Sequence, residues 1–119
     1  LLEQCNLGQY AYTDTAELPY GKQRLLEIVL ALAAKPSILL LDEPAAGIPE
    51  GESGELFEVI AQLPREMTVL FIEHDMDLVF RFAERISVLV AGAVLVEGTP
   101  AEIAADPQVR AAYLGNSRV

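Results

Sequence analysis

Two short apolar runs constrain the fold of this chain more than any other feature. Residues 38–41 read Ile-Leu-Leu-Leu, and residues 68–73 read Thr-Val-Leu-Phe-Ile-Glu. Continuous apolar runs of this length are typical of strands that are covered on both faces, as in a parallel sheet. Because a helical pattern lies between the two runs, the sequence predicts an α/β fold with parallel core strands.

Helical patterns surround these strands along the chain. Residues 22–35 contain no Gly or Pro and are rich in Leu and Ala, and Pro36 follows them. The second predicted helix, residues 52–63, has Leu56, Ile60 and Leu63 on one face. A short third helix is predicted over residues 76–84.

The last third of the chain contains turn and cap residues that mark the ends of its predicted strands and helices. The extended runs 85–90 and 93–98 flank Ala91-Gly92, which predicts a β-hairpin. Thr99, Pro100 and Glu102 fit a capping box with proline at the first helical position. Three further residues predict the bounds of a final helix, which we expect to start at Asp106-Pro107 and to end at Gly115.

Composition excludes several classes of protein. The chain has 119 residues and a formal net charge of -10, which argues against binding to nucleic acid or to an anionic membrane surface. Cys5 and His74 are the only cysteine and histidine, so the sequence supports neither an internal disulfide nor a Cys/His zinc site. The chain opens at Leu1 in the middle of a pattern, and we therefore expect a piece of a longer protein.

An acidic pair follows the first strand. Asp42 and Glu43 come directly after the apolar run, at the carboxyl end where α/β sheets bind ligands. One carboxylate there can hold Mg²⁺ while the next orients or deprotonates a water, which is the chemistry of phosphate-anhydride hydrolysis. Taken alone, an Asp-Glu pair is more often a solvated acidic turn.

A histidine follows the second strand. His74 should lie beside Asp42 and Glu43, where an imidazole could hydrogen-bond a terminal phosphate. A lone histidine is more often a partly exposed structural residue. Asp75 has two open roles, since it could orient the imidazole or cap the next helix.

The stretch Leu-Pro-Tyr-Gly-Lys-Gln-Arg, residues 18–24, precedes the first helix. Backbone amides at a helix N-terminus, together with the charges of Lys22 and Arg24, favour an anion. The alternative is an ordinary tight turn before a core helix.

These three motifs together resemble the second half of an ABC-transporter nucleotide-binding domain. The pattern of that family is a signature loop, a helix, a Walker B strand ending in Asp-Glu-Pro, a D-loop, and a switch histidine after the next strand. The forms "LPYGKQR", "DEPAAGI" and "VLVEGTPAEIAADPQVRAAYLG" look most like the ATPases of branched-chain amino acid importers. The resemblance implies a partial P-loop NTPase domain that lacks the Walker A half.

The resemblance also implies a role for each motif residue. Asp42 would bind Mg²⁺, Glu43 would be the catalytic base, and His74 would contact the γ-phosphate of ATP. The signature segment would close over ATP held by a second subunit in a head-to-tail dimer. The residues of that segment are Leu18, Pro19, Tyr20, Gly21, Lys22 and Gln23.

The sequence departs from the family pattern at several positions. Pro19 stands at the signature serine, Tyr20 at the first signature glycine and Lys22 at the glutamine, where its charge could compensate. Pro49 occupies the D-loop aspartate position. The motif G-x-x-x-x-G-K-[ST], which cradles nucleotide phosphates, does not occur in the 119 residues.

The resemblance leads to one main expectation and two alternatives. The main expectation is the carboxyl-terminal part of an ABC importer ATPase, cytoplasmic at the inner face of a bacterial membrane and coupled to a membrane permease. We expect residues 1–35 to end a helical subdomain, 36–98 to belong to the catalytic core and 99–119 to form a helical tail. Alone, the chain should bind neither ATP nor Mg²⁺ tightly and should self-associate. The alternatives are a non-catalytic module that binds an ABC ATPase, and an unrelated phosphoryl-transfer domain.

Overall fold

Parallel pairing of two strands organises the first part of the computed structural model, which describes residues 1–114. Strand β1 (Ile38–Asp42) pairs with strand β2 (Thr68–Ile72) in parallel, and Leu40 lies opposite Leu70. These strands belong to a compact unit, Leu1–His74, and a second unit begins at Asp75. The predicted α/β class with a parallel core pair is confirmed.

Helix α1 (Tyr20–Leu32) begins directly after Pro19, which is its N-cap residue. Its buried residues recur at the spacing of one helix face. The helix ends before Lys35, whose φ of 54° is left-handed, and before Pro36. The start of the helix at Tyr20 is two residues earlier than residue 22, where the sequence predicts it. Proline at the N-cap position allows Tyr20 to enter the first turn. The buried residues are Leu25, Ile28, Val29 and Leu32.

Helix α2 (Ser53–Ala61) connects the two strands and covers one face of their sheet. Its Leu56 and Ile60 are buried as predicted, and Phe57 is fully buried. The ring of Phe57 contacts the ring of Phe71 on β2 edge to face, with centroids 5.1 Å apart. This contact fixes α2 against the strand that leads to His74.

The other face of the β1–β2 sheet is exposed. Leu39 is buried, whereas Ile38, Leu40, Leu70 and Ile72 are each more than half exposed. The prediction that both faces are covered is therefore wrong for this chain. The described residues supply a covering layer for one face only, and an apolar surface remains on the other.

The second unit contains helix α3 (Met76–Phe82) and an antiparallel hairpin of β3 (Ile86–Val90) and β4 (Ala93–Gly98). Ala91 and Gly92 both have positive φ angles, 52° and 81°, as a two-residue hairpin turn of the primed type requires. The predicted hairpin is confirmed.

The predicted capping box is also present. Thr99 and Glu102 exchange hydrogen bonds of 3.0 and 3.3 Å at the start of α4 (Pro100–Ala105). Asp106 caps α5 (Pro107–Val109), which continues into a π-helical turn, Arg110–Leu114. The predicted helix end at Gly115 lies outside the described residues. Among residues 1–114, no helix is long and apolar enough to cross a membrane.

The capping box should make helix α4 sensitive to acid. The backbone amide of Thr99, and then its hydroxyl, hold the pKa of Glu102 below its ordinary value of 4.5. A lowered pKa contributes stability that is present above the ordinary value and is lost as pH falls through the folded pKa. We expect the amide signals of α4 to show fraying on acidification, and Glu102→Gln to weaken that dependence when followed by NMR. Equal pH dependence in both proteins would contradict the prediction, and Glu66→Gln, at an exposed glutamate, is the control.

Candidate functional site

Three predicted site residues lie at one edge of the parallel sheet. Asp42 is the last residue of β1, and Glu43 follows it with its N–H donating to the carbonyl of Ile72 at 2.8 Å. His74 lies two residues beyond the end of β2. The imidazole Nε2 of His74 is 3.3 Å from Oε1 of Glu43. The in-register pairing therefore brings Glu43 and His74 into contact, as the sequence predicts.

Glu43 and His74 are open to solvent. The exposed fraction of the side chain is 74% for His74 and 47% for Glu43. A contact this exposed to water contributes little to the stability of the fold. Its importance is geometric, because a base and a hydrogen-bond donor converge on space that a solute can enter.

Asp42 directly precedes Glu43 in the chain, at the end of β1, and its carboxylate is exposed. Within the described chain, no three His, Cys, Asp or Glu side chains cluster in a way that could hold a metal. Mg²⁺ usually keeps several waters and is bound by one or two carboxylates together with substrate phosphates. The donor set therefore fits Mg²⁺ that arrives with a nucleotide, and it does not fit a metal held by protein ligands alone.

The turn after Asp42 has an unusual backbone. Glu43 has a φ of 46°, in the left-handed region that residues with side chains rarely adopt. The N–H of Ala46 donates to the carbonyl of Glu43 at 3.0 Å, and the N–H of Ala45 donates to Oε2 of Glu73 at 2.9 Å. The sequence analysis missed Glu73, although an acidic residue directly before His74 is a visible signal.

Asp75 has a defined contact in the structure. Its Oδ1 accepts hydrogen bonds from the amides of Asp77 and Leu78 at 3.1 and 3.4 Å. It is thus the N-cap of α3, which is one of the two roles that the sequence left open.

The signature segment opens helix α1. Leu18 is buried, Pro19 is the N-cap residue, and Tyr20, Gly21, Lys22 and Gln23 form the first turn. The side-chain amide of Gln23 donates to the carbonyls of Thr15 and Leu18, both at 3.1 Å. These two bonds connect the segment that precedes α1 to the first turn of the helix.

Two further contacts hold this first turn in the first unit. Lys22 forms an ion pair with Glu55 of α2. Tyr20 lies over Gly47, where an added methyl group would be 3.1 Å from its ring carbon Cε1. Gly47 also has a φ of 80°, so its backbone conformation favours glycine, and an added methyl group would press on the tyrosine ring.

Arg24, the other predicted cation, pairs with Glu27 at 2.9 Å. Both positive charges of the segment therefore already have an acidic partner in the structure.

A family model identifies part of the second unit. Residues 93–118 match the model described as "Branched-chain amino acid ATP-binding cassette transporter". The chain is 46% identical over 118 residues to the high-affinity branched-chain amino acid transport ATP-binding protein BraF of Pseudomonas aeruginosa, and 45% identical to LivG of Escherichia coli K12. Each match covers 98% of this chain and 46% of the relative, so the chain spans about half the length of these curated relatives.

Solved structures agree with the sequence relatives. An ATP-binding cassette of an ABC transporter in its ADP conformation superposes with a TM-score of 0.85 at 30% identity, over 97% of this chain and 47% of that one. The cbiO1 protein of Clostridium perfringens, part of the cbiONQ transporter complex, gives a TM-score of 0.82 at 26% identity, over 98% and 48%. Nearly the whole chain therefore corresponds in sequence and fold to about half of an ATP-binding cassette, and its curated relatives include ATP-binding proteins of branched-chain amino acid transport.

Proposed function

We propose that this chain supplies part of the ATP-hydrolysing machinery of an ABC importer for branched-chain amino acids. The observation that carries the proposal is the 3.3 Å contact between Glu43 Oε1 and His74 Nε2, at the sheet edge that also presents Asp42. The relatives that share 45–46% identity with the chain support the assignment to amino acid transport.

Each residue of the edge has a distinct task in this proposal. Glu43 orients the attacking water and accepts its proton, since its exposed carboxylate borders open space. His74 donates a hydrogen bond to a γ-phosphate oxygen from Nε2, the nitrogen now facing Glu43. Asp42 would hold Mg²⁺, whose charge offsets that of the phosphates.

The signature segment, residues 18–23, would act on a nucleotide held by a second subunit. The amides of Lys22 and Gln23 donate to the carbonyl of Pro19, so the helix terminus that could favour an anion consists of the amides of Tyr20 and Gly21, which supports this role. In the proposed assembly, two ATPase subunits meet head to tail beneath a membrane permease at the cytoplasmic face. The 119 residues contain no phosphate-cradling G-x-x-x-x-G-K-[ST] loop, so the chain alone should be inactive.

A chimera tests the catalytic assignment. Residues 1–119 would replace the segment of P. aeruginosa BraF that they match, giving a complete cassette. We expect this chimera to hydrolyse MgATP, and Glu43→Gln to lower kcat at least ~100-fold while ATP binding persists, because only the proton acceptor is lost. Steady-state turnover and calorimetric binding are the measurements.

The exposed glutamate Glu66 supplies the matched control, since Glu66→Gln should leave turnover unchanged. A folded chimera that binds ATP and turns over equally well with Glu43→Gln would overturn the role of Glu43. Stoichiometric ATP binding by the 119 residues alone would refute the proposed inactivity of the isolated chain.

Self-association is the second expectation for the isolated chain. The exposed face of the β1–β2 sheet presents Ile38, Leu40, Leu70 and Ile72 to water. Apolar surface on an open two-stranded sheet favours pairing with another copy. We expect oligomers at micromolar concentration by light scattering, and a shift toward monomer when Leu40 and Leu70 are both changed to Ser.

Leu30 offers a matched control for this surface. It lies on α1 and is 67% exposed, against 68% for Leu40. Leu30→Ser should therefore leave the oligomeric state unchanged. A strictly monomeric parent chain at micromolar concentration would contradict self-association.

A further inference from the structure

Glu73 makes a contact that the proposed catalytic roles do not use. Its Oε2 accepts the N–H of Ala45 at 2.9 Å, across 28 positions of sequence. The contact is partly buried, unlike the exposed pair of Glu43 and His74. Partial burial limits competition from water for this hydrogen bond.

The contact lies inside the turn that directs Glu43. A left-handed backbone is unfavourable for a residue with a side chain, so it persists only where its surroundings hold it. Three backbone bonds involve this turn: Glu43 N–H to Ile72 O, Ala46 N–H to Glu43 O and Ile48 N–H to Ala45 O. The bond from Ala45 to Glu73 is a fourth, and it depends on a side chain.

Glu73 and His74 come from the same end of β2 but meet the turn differently. His74 meets the side chain of Glu43, and Glu73 meets the backbone two residues further on. The backbone of the turn is thus fastened to the strand that carries the histidine. The N–H of Glu43 keeps its own bond to Ile72, so loss of the Ala45–Glu73 bond would free the chain beyond Glu43 and relax the left-handed backbone that directs its side chain.

We propose that Glu73 is a positioning residue for ATP hydrolysis, which holds the turn 43–46 so that the Glu43 carboxylate faces His74. The inference rests on the proposed function, because it assigns Glu43 the role of base. In this role Glu73 acts as a hydrogen-bond acceptor. Position 73 therefore needs a side-chain oxygen and does not need a negative charge.

Amide exchange on the 119-residue chain tests the contact directly. The variants are Glu73→Ala, which removes the acceptor, Glu73→Gln, which retains an oxygen, and Glu66→Ala as the exposed control. We expect the Ala45 amide to exchange at least about tenfold faster in Glu73→Ala and to stay near the parent rate in the other two. The Glu43 ¹³Cα and ¹³Cβ shifts should leave their left-handed values in Glu73→Ala alone.

Turnover in the BraF chimera tests the consequence for catalysis. Glu73→Ala should lower kcat about tenfold or more with KM for ATP nearly unchanged, because the base is misplaced while the nucleotide contacts remain. Glu73→Gln should stay within about threefold of the parent. Unchanged kcat per folded molecule in Glu73→Ala would reduce Glu73 to a structural role and overturn the proposal.

The amide-exchange measurement and the turnover measurement together distinguish failure of this inference from failure of the proposed function. A chimera without any ATP turnover would refute the proposed function, and the Ala45 exchange and Glu43 shifts would still decide whether Glu73 holds the turn. Glu73→Gln losing as much activity as Glu73→Ala would show that charge matters, which overturns the acceptor role. If Glu73→Ala does not fold, Glu73→Asp shortens the side chain, keeps the charge and should show the same faster exchange.

Discussion

The in-register parallel pairing of β1 with β2 is the constraint on which the candidate site depends. It places Asp42 opposite Ile72, so that Glu43 and His74, the residues just beyond, reach one another. A slip of one residue would turn every side chain of a strand to the opposite face and separate these groups. The Phe57–Phe71 ring contact opposes such a slip, because it locks β2 to the helix that connects the strands.

The sequence predicted features that depend on local chemistry or on strand polarity. Because the carboxyl ends of parallel strands meet at one edge of a sheet, the sequence predicted that Glu43 and His74 lie close together. The Ala91-Gly92 turn and the Thr99–Glu102 capping box are likewise local, and both are present. The Ala45–Glu73 bond was not predicted, because it joins a backbone amide of the turn to a side chain 28 positions away and depends on the conformation of that turn.

Burial was predicted only in part, since the apolar runs indicated strands covered on both faces while the small number of strands indicated that this chain lacks some of their neighbours. An apolar run indicates that a strand prefers to be covered on both faces, but it does not indicate whether the chain supplies both covers. Leu39 and Leu40 are adjacent and chemically identical, yet one is buried and the other is 68% exposed. The chain spans about half the length of its curated relatives. Whether the exposed face of the sheet is covered therefore depends on what surrounds the sheet.

The distribution of charge explains how an acidic chain could bind the proposed anionic ligand. Lys22 is paired with Glu55 and Arg24 with Glu27, so an incoming phosphate would compete with a carboxylate for each cation. The amides of Lys22 and Gln23 already donate to the carbonyl of Pro19, so the amides of Tyr20 and Gly21 are the ones that α1 could offer to a phosphate. In the proposed site, backbone amides and nucleotide-bound Mg²⁺ would supply the positive charge that a chain of net charge -10 lacks. We therefore propose that Lys22, through its pair with Glu55, fastens the first turn of α1, and that the helix terminus recognises the phosphate.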